Sequence, residues 1–289
     1  MVIGQLIEKV LFKVASQWIA GDTIDDALSS ASVAYKNKRH AIINKLGEYH
    51  KSKKTINQTI KEYQIITESF RKWKIRGAIS VKPTQIGLLF SQRECYQNLE
   101  KIIISARNAH VFVWLDMESS EHTDETIELY QSFFSKYERL GIALQANLKR
   151  TEHDLRDLMS IGAKIRLVKG AYKEDEKISF KSKQEVDKNF VKLMRILFRE
   201  TNEFGIATHD MVIIKKAMRL AKKYPKKFEF QLLKGIRDDI KPDLVKKKFV
   251  VSDYIPYGTG WLSYSIRRIR ERKRNILLLG SSLLQSQRV

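Results

Sequence analysis

Residues 110–117 read HVFVWLDM, five consecutive apolar residues from Val111 to Leu115 closed by a carboxylate at Asp116. A strand solvated on one face alternates apolar and polar side chains. One that is apolar at nearly every position is covered on both faces, as strands of parallel sheets are. Comparable runs lie at 40–48 (HAIINKLGE), 77–83 (GAISVKP), 141–148 (GIALQANL) and 163–170 (AKIRLVKG), then at 205–210 (GIATHD), 228–233 (FEFQLL) and 249–257 (FVVSDYIPY). Longer charged segments of helical period, such as 124–141 and 183–200, separate them. Eight strands alternating with eight helices predict an α/β fold, and the count favours a closed (βα)8 TIM-type barrel over an open sheet. No GxGxxG or Walker-type glycine loop follows any run, which argues against the open nucleotide-binding folds. Ahead of the first strand, Ile3, Leu6, Ile7, Val10, Val14 and Trp18 predict an amphipathic helix over 2–19. Asp22 or Thr23 caps a second helix ending before KNKRH. The expected organisation is an N-terminal helical segment, 1–39, packed on a barrel domain, 40–289.

Composition narrows the function classes. Cys95 is the only cysteine among 289 residues, so no intramolecular disulfide forms and a reducing cytoplasm fits. Glu8, Lys9 and Lys13 interrupt the apolar pattern of the amino terminus, which reads as neither signal peptide nor membrane span. The net charge is +21, with 31 Lys and Arg against 14 Asp and Glu from Lys164 onward; that balance of +17 leaves +4 for the first 163 residues. Such asymmetry implies an anionic partner: nucleic acid, an anionic membrane surface or a phosphate-bearing ligand.

A barrel of this kind builds its site at the carboxyl ends of its strands. Those ends carry Lys82 on the second strand, Asp116 on the third, Gln145 on the fourth, and Arg166 and Lys169 on the fifth. Thr208, His209 and Asp210 close the sixth, Gln231 lies in the seventh, and Tyr254 and Tyr257 lie in the eighth. Lys82 and Asp116, on neighbouring strands, are placed to pair inside the mouth, and a buried pair marks a site better than it stabilises a fold. No HxH, HExxH or cysteine cluster exists for a metal, and no GxSxG elbow for a nucleophile. Lys82 or Lys169 could form a Schiff base, which leaves an aldolase-like lyase open. Residues 257–272, YGTGWLSYSIRRIRER, pose a second question. Tyr264 shares a helical face with Arg267 and Arg268, and Glu271 can reach either arginine. A doubled guanidinium fork beside an aromatic wall suits a small carboxylate ligand. A solvated basic helix end is the alternative.

The runs SVKPTQIGL, VWLDMESS, ALQANLKRTEHDL, RLVKGAYKE, ATHD, FEFQLLKGIR and YIPYGTGWLSYSIRRIRER resemble, in order and spacing, the motifs of the proline dehydrogenase family. The likeness runs from about residue 40 to about 280 and is nearest to the short monofunctional type. It implies a distorted barrel with N-terminal helices and a C-terminal helix over the mouth, and FAD-dependent oxidation of L-proline to Δ1-pyrroline-5-carboxylate. By resemblance, Lys82, Arg267 and Arg268 hold the proline carboxylate, and Glu271 partners one arginine. Tyr254, Tyr264 and Leu232 pack around the ring, and Asp116 and Arg166 are catalytic. Arg166 and Gln145 also bind the flavin, with Met117, Val168, Lys169, Gly170, Ala171, Thr208, His209 and Gln231 as further cofactor contacts and no metal. The family usually has Leu where Pro83 stands and Tyr where Asn147 stands, and Gly260 replaces an acidic residue.

The chemistry agrees with that implication, because removing a hydride needs an acceptor that no side chain provides. The resemblance also implies electron delivery to a quinone or another acceptor, and no nucleic-acid partner. The +17 balance and the apolar-plus-basic end KRNILLLGSSLLQSQRV, with no membrane-spanning run, point to a cytoplasmic protein with peripheral contact at an anionic inner membrane face. Oxidation of a related imino acid such as hydroxyproline is the alternative substrate. An inactive basic nucleic-acid-binding protein is the alternative class.

Overall fold

The computed structural model describes residues 15–261 together with Tyr264 and Ser265. Eight parallel strands close into a barrel in sequence order, β1 (His40–Lys45), β2 (Gly77–Val81), β3 (Phe112–Leu115), β4 (Leu140–Gln145), β5 (Lys164–Val168), β6 (Glu203–Ala207), β7 (Lys227–Leu233) and β8 (Val250–Tyr257). Pairing of β1 with β8 shuts the ring, with Ile42 opposite Tyr254 and Asn44 opposite Pro256. All eight predicted strands are present. Several are shorter than their runs, and polar residues just past or near their ends, such as Lys82 and Asp116, face the mouth.

Eight α-helices surround the described barrel: α1 (Ile24–Lys36), α2 (Lys53–Lys72), α3 (Gln92–Asn108), α4 (Thr123–Phe134), α5 (Thr151–Ser160), α6 (Lys183–Glu200), α7 (Met211–Lys223) and α8 (Lys241–Lys246). The first precedes the barrel, and the other seven follow β1 to β7. Thr23 caps α1 in a reciprocal capping box with Asp26, so of the two candidate caps the threonine serves. Ser182 and Glu185 repeat the device on α6. Most of the expected 2–19 helix lies outside the described residues; Ala15 is helical and Ser16–Trp18 form a turn. The expected helix over the mouth likewise lies largely outside them.

Alternation along each strand divides the apolar residues. Ile43, Ile79, Val113, Ile142, Leu167, Ile206, Phe230 and Ile255 point outward into one continuous core beneath the helices. Inside the barrel, Ile42, Ala78 and Trp114 form a small separate cluster. A third cluster at the mouth joins Ala15, Trp18 and Ile19 to Leu46, Leu233, Trp261 and Tyr264, with Tyr254 packed against it.

Candidate functional site

Inward positions near the carboxyl ends of β1 to β5 are polar, and they converge. Asp116, just past β3, is the hub. Its Oδ1 accepts from Arg166 Nη1 at 2.5 Å and Ser80 Oγ at 2.8 Å. Its Oδ2 accepts from the Tyr254 hydroxyl at 2.7 Å and faces Lys82 Nζ at 3.5 Å. The Lys82 amine also donates to Asn44 Oδ1 at 3.4 Å, and Arg166 Nη1 donates to Ser80 Oγ at 2.9 Å. The expected Lys82–Asp116 pair therefore forms, inside a larger network.

The electrostatics follow from the packing. Burial would raise the Asp116 carboxyl, but Lys82 and Arg166 outweigh it and hold the group below the ordinary carboxylate range. Burial would lower the Lys82 ammonium, but Asp116 beside it, with Glu48 farther off, holds it above the ordinary lysine range. Burial and then the Asp116 charge push the Tyr254 phenol well up, so it stays neutral and donates. Lys82 is thus an ammonium. The Lys169 amine is paired with Asp187 and Asp210. Lys82 is therefore not the free amine that Schiff-base chemistry requires, and two carboxylates engage Lys169.

Local sequence explains the positions. Lys82 has φ −99° and ψ 129°, the extended conformation that a following proline imposes, so Pro83 helps to fix its backbone. The short 3₁₀ turn Pro83–Gln85 is then pinned from three sides. Gln85 Nε2 donates to the carbonyls of Lys45 and Gly47, both at 2.7 Å, and its Oε1 accepts from the Tyr63 hydroxyl at 3.1 Å. Thr84 donates from its backbone at 2.9 Å and its hydroxyl at 2.5 Å to the buried Glu118 carboxylate. Burial raises that carboxyl to about 7 despite the Thr84 hydrogen bonds. The Glu118 carbonyl accepts from Gln145 Nε2 at 2.8 Å, so Glu118 ties the Lys82 turn to Gln145.

Arg166 is 2% exposed. Its guanidinium carbon stands 4.6 Å from the centre of the Trp114 ring and 5.5 Å from that of Tyr254. The indole has room because of Gly141, where an added Cβ would lie 2.4 Å from a ring atom. Arg166 Nε and Nη2 are buried and have no hydrogen-bond partner among the described residues. Gln231 Oε1 and Asn147 Oδ1 share that condition. Buried polar groups are nearly always satisfied, so the Arg166 and Asn147 orphans fit a polar ligand seated at the mouth, while the Gln231 amide turns toward Glu229 deeper in the barrel. Two glycines keep the space: a Cβ on Gly170, at φ +102°, would lie 2.1 Å from Asn147 Oδ1, and one on Gly205 would lie 2.7 Å from Gln231 Nε2. Donors and acceptors of this kind suit the conjugated, polar-edged ring of a flavin.

The remaining expected site residues divide. Thr208 Oγ1 accepts from Asp210 N at 3.2 Å, and the His209 ring accepts from Leu233 N at 2.9 Å, which fixes the chain where β6 and β7 end. The carbonyls of Val168 and Lys169 accept from Ala146 and Asn147, extending the β4–β5 pairing past the strands. Ala171 is exposed on the loop that follows. The side chains of Leu232 and Met117 do not face the mouth; both pack into the helix-side core. Alternation along β7 turns Leu232 outward, and Leu233 is the leucine that joins Tyr254 and Tyr264. Arg267, Arg268 and Glu271 lie outside the described residues. Asn44, Ser80, Trp114, Thr84 and Glu118 were not anticipated. The first three were legible as inward positions two residues along from other inward ones; the buried Glu118 carried no signal.

Among the described residues no cluster of His, Cys, Asp or Glu could hold a metal ion. No described helix is long and apolar enough to cross a membrane.

The family model described as proline dehydrogenase matches residues 27–276. Proline dehydrogenase 1 of Bacillus subtilis subsp. natto is 34% identical over 274 residues, 94% of this chain and 91% of that one. Proline dehydrogenase of Deinococcus radiodurans is 28% identical over 291 residues, 98% of this chain and 94% of its own. The crystal structure of proline utilization A from Bdellovibrio bacteriovorus inactivated by N-propargylglycine superposes with a TM-score of 0.85 at 24% identity. It covers 95% of this chain, which spans 34% of that longer one and shares its barrel fold. A family match across nearly the whole barrel joins the closed eight-stranded fold and the charged mouth in one conclusion: the chain belongs to the proline dehydrogenase family of oxidoreductases.

Proposed function

We propose that this chain oxidises L-proline to Δ1-pyrroline-5-carboxylate with FAD seated at the carboxyl end of the barrel. The observation that carries the reading is the Lys82–Asp116–Arg166 network, in which two buried Arg166 nitrogens await an acceptor. When bound, the flavin supplies the acceptor for a hydride from the ring carbon beside nitrogen. Arg166, Gln145, Gln231 and the Gly170 loop are the residues that would hold it.

The chain's own part is binding, orientation and fixed charge. Lys82 offers an ammonium for the proline carboxylate, and Arg267 and Arg268 complete that cradle. Tyr254, Tyr264 and Leu233 supply the wall against the ring. Asp116 keeps Lys82 and Arg166 in place and offsets their charge, so substrate meets cations already oriented. Asp116 is held too low and Tyr254 too high to serve as a base near neutral pH, so the substrate amine sheds its proton to water before the carbon reacts. Electrons then pass to a quinone or another acceptor. The +17 balance of the second half supports peripheral contact with an anionic membrane.

Purified protein should be yellow, its flavin absorbance should bleach on adding L-proline, and o-aminobenzaldehyde should trap the product. A flavin-loaded protein that L-proline does not bleach overturns the substrate assignment, and one that retains no flavin overturns the cofactor. Hydroxyproline in the same assay tests the related substrate.

A further inference from the structure

The opposite end of the barrel holds a cavity of about 1270 Å³ at the amino ends of the strands. Ile42, Ala78, Phe112 and Trp114 form its apolar floor. Arg71, Lys74 and Arg76 line it from the α2–β2 connection, and Arg139 and Lys164 line it where β4 and β5 begin. Lys226, Lys227 and Lys248 complete the rim beside β7 and β8. Against these eight Lys and Arg stand two carboxylates, Glu203 and Glu229. Both are engaged: Glu203 pairs with Lys164 at 3.2 Å, and Glu229 accepts from Ser252 at 2.5 Å and from Gln231.

Some basic residues elsewhere pair with acids, as Arg150 does with Asp124 and Asp154 and Lys192 with Glu152, and others among the described residues, such as Lys54 and Lys215, stand singly on exposed helix faces. On this rim, no carboxylate of the described residues pairs with Arg71, Lys74, Arg76, Lys227 or Lys248. Backbone geometry adds a second observation. Lys74, His110 and Lys248, each just past a helix, have φ of 52°, 56° and 65°, and all three line the cavity. Glycine takes this left-handed conformation freely and serves that role after α5, where Gly162 has φ 79° and does not line the cavity. Lys38, at φ 58°, repeats the basic choice two residues before His40, another lining residue. Cations at helix carboxyl ends gain from the dipole, which accounts for their sign. It does not account for unpaired cations converging on one concavity, where low-dielectric walls concentrate the positive field.

We propose that the amino end of the barrel is a second ligand site, for a compact anion carrying several phosphate groups. Cations spread around a wide opening match several linked charges better than a single carboxylate, which one guanidinium fork would satisfy. The volume admits a tripolyphosphate or a nucleoside polyphosphate, and Phe112, Phe249 and Tyr35 offer an apolar flank for a base. The rim cations lie at the other end of the strands from Lys82 and Asp116, with Trp114 forming the floor between the two ends.

Calorimetric titration of the flavin-loaded protein with inorganic tripolyphosphate tests this. The expected result is saturable one-to-one binding that weakens as salt rises, with affinity lowered more than about tenfold in the double variant Arg76→Glu/Lys227→Glu. Lys54→Glu, at an exposed lysine in the first turn of α2 and at the other end of that helix from Arg71, should bind like the parent. Circular dichroism and unchanged proline oxidation would show that the double variant is folded. Equal binding by parent and double variant overturns the site, and so does equal loss in Lys54→Glu, which would mean a response to net charge alone. Co-sedimentation with anionic vesicles separates the source: loss of vesicle binding in the double variant, with no tripolyphosphate bound by the parent, would make this end a membrane contact and sink the small-ligand assignment.

Discussion

Replacing Asp116 by Asn keeps the shape of the side chain and deletes its charge. The wild-type carboxylate receives Arg166 and Ser80 on one oxygen and Tyr254 and Lys82 on the other. After the change, a guanidinium whose side chain is 2% exposed and an ammonium whose side chain is 12% exposed face each other without the anion between them. Breaking a buried pair from one side typically costs about 3–5 kcal/mol, because a charge is left uncompensated. For a domain of this size, about 2–4 °C per kcal/mol makes the expected fall in melting temperature roughly 6–20 °C. The pH dependence carries a sign. Asp116 sits below its ordinary value of 3.8, so its contribution is present above that value and is lost as pH falls through the depressed one. Lys82 sits above its ordinary 10.5, so its contribution is full below that value and is lost as pH rises through the elevated one. Between these limits the gap between wild type and Asp116→Asn should be flat by scanning calorimetry. Adding Lys82→Met should recover part of the loss by removing one stranded cation. An unchanged melting temperature in Asp116→Asn, or a double variant less stable than either single, would refute the reasoning.

Two other perturbations test different parts of the site. Glu118→Gln mimics the protonated carboxyl that burial favours. The carboxyl is raised from 4.5 to about 7, so its stabilising contribution is full below 4.5 and lost as pH rises to about 7; the variant should gain on wild type across that window, by up to about 3 kcal/mol, and parallel pH profiles would show that Thr84 holds an ionised group. Arg267→Met and Arg268→Met should each raise KM for proline by roughly 10- to 150-fold with flavin content intact, from about 1.5–3 kcal/mol per charge-assisted contact. A normal KM in either variant would place the carboxylate elsewhere.

What was legible in the sequence was whatever periodicity or strand position encodes. Runs such as VFVWL and GIAL are apolar throughout because both faces are covered, which located eight strands and made closure the expectation. Strand ends announced Lys82, Asp116, Arg166 and Tyr254, because a polar residue after an apolar run is conspicuous. Two kinds of information were absent. The inward or outward sense of a strand that is apolar on both faces is not encoded by hydrophobicity, so in the pair Leu232–Leu233 the mouth-facing residue could not be chosen until alternation from Gln231 fixed the phase. Contacts across the barrel are equally silent. Nothing in SVKPTQ says that Thr84 will meet Glu118, 34 positions away, or that Arg166 will stack on Trp114.

The charge arrangement ties these observations together. In the mouth, Asp116 is the carboxylate that Lys82 and Arg166 share, and by the reading above Arg267 and Arg268 add two more cations nearby. A pocket built that way is incomplete without an anion, and a substrate carboxylate supplies one. Binding should therefore tighten the same network that stabilises the empty barrel, so proline and fold stability are thermodynamically linked. The link runs through Asp116. With Asn there, the stranded cations bind a carboxylate more avidly while the protein is less stable without it, so saturating proline should recover a larger share of the melting temperature in Asp116→Asn than in wild type. Recovery no greater than in wild type would mean that the substrate carboxylate does not reach the Lys82 end of the network, and the mouth would have to be redrawn around the arginines alone.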